Sequence, residues 1–111
     1  MDKTAEMIII YTTLPSENDA RTIGAELVEA RLAACVNILP GMVSIYRWQD
    51  ATETASETVM LVKAPKALEA QLLAALAARH PYSVPALIVV EPSSVGAPYL
   101  AWLYNQTSAQ R

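Results

Sequence analysis

Apolar and polar positions alternate between two periods along this chain, and the switches between them delimit its elements. Met7 to Tyr11 (MIIIY) is short, β-branched and almost wholly apolar, which predicts a strand buried on both faces. Leu14-Pro15-Ser16 interrupts it. Ser16 is placed to cap a helix, with Glu17 and Asp19 in the first turn, where the helix dipole favours negative charge. Ala20, Ile23, Leu27 and Ala30 follow at helical spacing, predicting a helix to about Arg31. Strand character returns from Ala34 to Trp48, interrupted at Pro40-Gly41. Proline cannot donate to a ladder, so a bulge, bend or sheet edge is expected there.

Gln49 to Ala55 reads as a polar turn and Thr58 to Lys63 (TVMLVK) as the next strand, paired with its predecessor in a hairpin. Pro65 is expected to open a second helix, with Leu68, Leu72, Ala75 and Leu76 on one face. Pro81 ends it, because a proline pushes the preceding residue out of the helical region. A fourth strand, Ala86 to Glu91, and a short third helix, Pro98 to about Gln106, complete the pattern before a polar, frayed tail. The order β-α-β-β-α-β-α predicts an α+β fold of the ferredoxin-like, split βαβ type, with an antiparallel sheet and both long helices on one face. The first and fourth strands are apolar at nearly every position, and two helices cover only one side. The other face then needs a cover, most economically another copy of the chain.

Composition supports that reading. The 111 residues suit one domain, 1–111. They are 53% hydrophobic and only 17% charged, against about 25% charged in an average soluble domain, so a subunit interface is expected to absorb apolar surface. The formal net charge of −3 and the lack of a Lys/Arg cluster argue against a nucleic-acid partner. RNA-binding domains with this element order stack bases on aromatics of the third strand, and TVMLVK has none. A single cysteine excludes an intrachain disulfide and zinc-finger spacing. MDKTAEM lacks a signal-peptide pattern, and no apolar run could span a bilayer, so a cytoplasmic protein with no membrane partner is expected.

Four stretches in order, ARLAACVNILPGMVSIYRW, ETVMLVKA, RHPYSVPALIVV and YLAWL, resemble the CutA family of divalent-cation tolerance proteins. The similarity runs from Ile8 to about Leu103. It implies a compact homotrimer associated with tolerance to copper and other divalent cations. It also implies an architecture similar to the PII signalling proteins, which bind small ligands between subunits. The chain departs from one pattern. Some family members carry a cysteine where Tyr11-Thr12-Thr13 stands and paired histidines where Arg79-His80 stands, so a copper site built from those groups is incomplete here.

The candidate chemistry is sparse. His80 is either a metal ligand or the end of a helix, where the dipole favours imidazolium and so opposes metal binding. Cys35 is either a second soft ligand or a small buried hydrophobe. Trp48, Asp50, Glu57 and Lys63 lie on or beside the hairpin. Glu57 and Lys63 are an even number of residues apart and point to one face of a regular strand. With Tyr82 they are candidates for an intersubunit cleft, the location that the resemblance implies; a surface ion pair or a trimer lock is the plainer account. No catalytic constellation is complete within one chain, and no cofactor is required. The expected function is a binding or regulatory protein with weak affinity for copper or another divalent cation. The alternative is a PII-like sensor of a small anionic metabolite, with Lys63 and Arg47 supplying the charge.

Overall fold

The structure, a computed structural model, describes residues 6–108. Most of the segment MDKTAEM and the end of the tail expected to fray, residues 1–5 and 109–111, lie outside the described residues. The elements are β1 (Met7–Leu14), α1 (Glu17–Glu29), β2 (Cys35–Trp48), β3 (Ala51–Pro65), α2 (Glu69–Arg79), β4 (Ile88–Val90) and α3 (Ala97–Thr107), with a short 3-10 turn at Lys66–Leu68 before α2. The four strands form one antiparallel sheet in the order β2-β3-β1-β4. That is the split βαβ arrangement expected from the element order.

Local chemistry sets the helix ends. The Ser16 hydroxyl accepts from the Asp19 amide at 3.1 Å, capping α1. α1 stops at Glu29 with Ala30 as its cap, and Arg31 is already in the left-handed region at φ 62. The Arg31 amide donates to Val28 and the Leu32 amide to Leu27, both at 3.0 Å, the pair of bonds that closes a Schellman motif. Arg31 Nη1 donates to the Gln106 carbonyl at 3.1 Å, tying this corner to the last turn of α3. Pro65 does not open α2. It is the final residue of β3 and precedes the 3-10 turn, so the regular helix begins later than its apolar spacing suggests. Pro81 does end α2, with His80 as an extended cap.

Even-numbered residues of β1 face α1 and α2. Ile8, Ile10 and Leu14 join Met60, Val62 and Ala64 of β3 with Ala20, Ile23, Leu27, Leu72 and Leu76 of the helices in the main core. The odd-numbered face carries a smaller cluster of Met7, Ala34 and Leu103, supported by Ile9, Val95 and Leu100. α3 therefore packs on the face that the two long helices leave open, but over one end only. Farther along, Leu39, Ile88 and Val90 remain 51%, 52% and 47% exposed.

The hairpin is longer and tighter than its composition suggests. Residues 49–55 are not a polar loop: the turn is Gln49-Asp50, with φ 51 and 66, the two left-handed residues of a primed hairpin turn, and β3 starts at Ala51. Residues 51–54 are exposed. An arm that buries neither face needs no apolar alternation, so the pattern that reveals strands is missing there. The bulge is where Pro40-Gly41 places it. Register runs Leu39 to Val59, then Met42 to Glu57, and Gly41 takes φ 82.

Gly24 is the tightest helix–sheet contact. A Cβ there would lie 2.9 Å from Val36 Cγ1 and 3.4 Å from Val36 Cβ. Overpacking costs about 1–3 kcal/mol, and alanine recovers about 1 kcal/mol in a helix. Because Val36 is β-branched and stiff, Gly24→Ala should be destabilising by about 1 kcal/mol, read as a lower denaturation midpoint with an unchanged denaturant slope.

Candidate functional site

The bulge determines which side chains share the open face. Before it, Cys35, Asn37 and Leu39 of β2 sit in rows with Lys63, Leu61 and Val59. After it the register shifts by one, and Met42, Ser44, Tyr46 and Trp48 pair with Glu57, Ala55, Glu53 and Ala51. Side-chain direction follows parity in a strand, so one extra residue flips the arm's outward set. Ser44, Tyr46 and Trp48 thereby join Glu57 on the open face, while Arg47 points the other way.

A groove of about 520 Å³ opens on this face, lined on one side by Tyr46, Trp48 and Glu57 and on the other by Tyr82 and Val84 of the segment after α2. Glu57 is its only charged lining residue. Ser44 donates to Glu57 Oε1 at 2.6 Å and the Tyr82 hydroxyl to Oε2 at 2.7 Å. Burial pushes the Glu57 carboxyl up, but hydrogen bonds from Ser44, Tyr82 and Thr13, with the field of His80, outweigh it and hold it below its ordinary value. Glu57 is therefore ionised at neutral pH. Burial, then the bond to Glu57, raises the Tyr82 phenol, which stays a protonated donor.

His80 is a clamp. Its Nδ1 accepts from the Tyr82 amide at 3.1 Å. Nε2 then carries the ring proton and donates to the Thr13 carbonyl at 2.9 Å, with Thr12 Oγ1 at 3.1 Å. Both nitrogens are engaged, and burial lowers the imidazole below its ordinary value despite the opposing bond to Thr13 and the charges of Glu57 and Asp19. The helix dipole by itself favours imidazolium, but the hydrogen bond from Tyr82 requires neutral imidazole.

A model of the CutA1 divalent ion tolerance protein family matches residues 8–106. The chain belongs to that family. It is 43% identical to the divalent-cation tolerance protein CutA of Thermus thermophilus over 99 residues, covering 89% of this chain and 96% of that one. It is 34% identical to the chloroplastic CutA of Arabidopsis thaliana over 95% of its own length, but spans only 58% of the plant protein. The solved CutA of Synechococcus elongatus superposes with a TM-score of 0.91 at 35% identity, covering 95% and 93% of the two chains.

Within this CutA fold, Trp48, Glu57 and Tyr82 line one groove, Tyr82 bonded to Glu57 and Trp48 six residues along the arm from it. Asp50 is not in the groove but at the hairpin tip. Lys63 shares the face of Glu57 but lies at its other end, with Nζ 5.8 Å from the centroid of the Tyr99 ring. Cys35 sits in the row of Lys63, Ile9 and Val90, whereas His80 binds Thr12 and Thr13, so the two soft candidates are not neighbours. No group of three or more His, Cys, Asp or Glu side chains among the described residues is placed to hold a metal. Ser44 and Tyr46 were missed in the sequence. The signal was present: counting parity afresh after Pro40-Gly41 places both beside Glu57.

The only histidine gives a clean titration. Its NMR pKa should fall below 6.5, the ordinary value from which it is lowered. Above about 6.5 folded and unfolded chains both hold neutral imidazole. As pH drops from there to the folded pKa, only the unfolded chain takes up the proton, so folding stability declines. His80→Gln should remove that decline, while the loss due to Glu57, which begins only below about 4.5, persists.

Proposed function

We propose that this protein is a homotrimeric binding or regulatory protein of divalent-cation tolerance, with weak affinity for copper or another divalent cation, and not an enzyme. The observation that carries it is the ionised Glu57 carboxylate in an open groove on a sheet face that the chain leaves uncovered. Leu39, Ile88 and Val90 supply apolar area for a neighbouring copy, and the groove lies beside it. The family's name supplies the cation. Among the described residues, neither His80, with both nitrogens committed, nor the distant Cys35 forms a nucleophile–base pair, which supports binding over catalysis. His80 and Cys35 contribute to cation binding only if copies from several subunits gather or their present contacts break. Relatives include a chloroplastic protein, so a cytoplasmic location belongs to the proposal and the binding chemistry does not depend on it.

The anionic-metabolite reading is not favoured. Arg47 points away from the groove, Lys63 lies beside Tyr99, and the groove's charge is negative.

Light scattering on an eluting peak should give three times the 12.0 kDa chain mass; a monomer at micromolar concentration would refute the trimer and any site shared between subunits. Calorimetric titration with copper should show binding on the order of 0.1–1 mM, as weak as the weakest oxygen-ligand calcium sites. Glu57→Gln should weaken it by roughly tenfold, as expected for removing a charged partner worth a little over 1 kcal/mol, and Cys35→Ala should leave it unchanged. Tight binding abolished by Cys35→Ala or His80→Ala would return the metal site to the soft ligands.

A further inference from the structure

Only one protonation state of the His80 ring satisfies both of its neighbours. The Tyr82 amide can only donate and the Thr13 carbonyl can only accept. The bonds at Nδ1, 3.1 Å, and Nε2, 2.9 Å, therefore require a bare Nδ1 and a proton on Nε2. A second proton has to go on Nδ1, where two N–H groups then face each other and one side must withdraw. Nε2 keeps its bond to the Thr13 carbonyl, and the positive charge of the ring strengthens that bond. Thr12 Oγ1, at 3.1 Å, is a second acceptor on the same side. The ring therefore stays on β1 and the Tyr82 amide moves off.

A short lever carries the withdrawal to Glu57. The ring of Pro81 fixes its own φ, so rotation falls on the peptide that carries the Tyr82 N–H, and the Tyr82 side chain moves with it. The Tyr82 ring lies 5.1 Å from the imidazole, centroid to centroid, and its hydroxyl holds Glu57 Oε2 at 2.7 Å. Pro81, Tyr82, Ser83 and Val84 form one wall of the groove. We infer that this wall is a proton-operated latch: a proton on His80 Nδ1 expels the Tyr82 amide and breaks the Tyr82–Glu57 contact, while the sheet stays in place. The charged groups that face the ring are Asp19 of α1 and Glu57 of β3; both favour its protonation, and burial opposes it and prevails. The Tyr82 phenol stays protonated. The Arg79 guanidinium is turned away, to Glu26 and the Ala75 carbonyl. The latch therefore holds at neutral pH and releases below about 6.5.

NMR of the folded protein reads the latch without any ligand. As pH is lowered from neutral, the hydrogen-exchange protection of the Tyr82 amide should fall by about tenfold with the same midpoint as the His80 ring, the loss expected for one hydrogen bond. Amides in the ladder of β1 and β3 should keep their protection over that range; a parallel fall there would mean general unfolding and not a latch. His80→Asn supplies an acceptor for the amide two residues on, as in an Asx turn, and does not titrate. Tyr82 protection in that variant should not respond to pH, and the same fall there would assign the change to another group. By linkage, a contact that protonation breaks also resists protonation. Tyr82→Phe keeps the amide and removes only the hydroxyl, so His80 should bind its proton roughly threefold more tightly, read as a higher NMR midpoint. An unchanged midpoint would overturn the coupling to Glu57, and a Tyr82 amide that stays protected while His80 titrates would overturn the latch itself.

Discussion

β1 has to be covered on both faces, because residues of both parities along it are apolar. Ile8 and Ile10 are fully buried under α1 and α2, while Met7 and Ile9 lie on the opposite side, under α3 or beside it. Burial is worth about 25 cal/mol per Å² of apolar surface, so a strand of this kind is stable only in the middle of a sheet with cover above and below. The order β2-β3-β1-β4 provides the middle position. α3 supplies part of the second cover, and the remainder is open. Both the site's location and the case for self-association follow from that incomplete second layer.

The site itself is a chain of polar contacts leading outward from β1. Thr12 and Thr13 hold His80, His80 accepts the Tyr82 amide, and the Tyr82 hydroxyl reaches Glu57 on the arm. Pro81 stops α2 just after His80, so the imidazole can turn back onto β1 in place of continuing the helix. A partly buried carboxylate without donors would be costly, and the protein would protonate it. Three hydroxyls remove that cost here and leave the charge available. The lone histidine is thus a positioning group: it ties the segment carrying Tyr82 to the sheet, and Tyr82 orients the carboxylate.

The arm places its side chains with little packing energy. Beyond the bulge, the Tyr82 segment meets the arm at Glu57, while Val43 and Ile45 on one side and Tyr46 and Trp48 on the other stay exposed. Its register is held by the backbone ladder and by the two left-handed residues Gln49 and Asp50 at its tip. The extra residue at Pro40-Gly41 then decides which of the two exposed sets meets Glu57.

Much of this was legible in the chain. Binary patterning specified β1, α1, α2 and the order of elements, because each buries one defined face and the 2 and 3.6 periods differ. Ser16 and Pro81 marked helix ends through local chemistry that needs no tertiary context, and Pro40-Gly41 marked the bulge for the same reason. The shared face of Glu57 and Lys63 followed from strand parity. What only the tertiary structure decided was proximity between segments distant in sequence. β3 extended to Ala51 because ladder pairing, not burial, stabilises its exposed half. β4 shrank to Ile88–Val90 because an apolar stretch becomes a strand only where a partner's backbone is in reach. Lys63 and Glu57 share a face, but folding sets Lys63 beside Tyr99 of α3 and Glu57 against Ser44 and Tyr82, at opposite ends of it. His80 became a neutral, doubly bonded clamp because folding brought Thr13 and the Tyr82 amide to its two nitrogens, and no local pattern in Arg79-His80-Pro81 encodes the first of those partners.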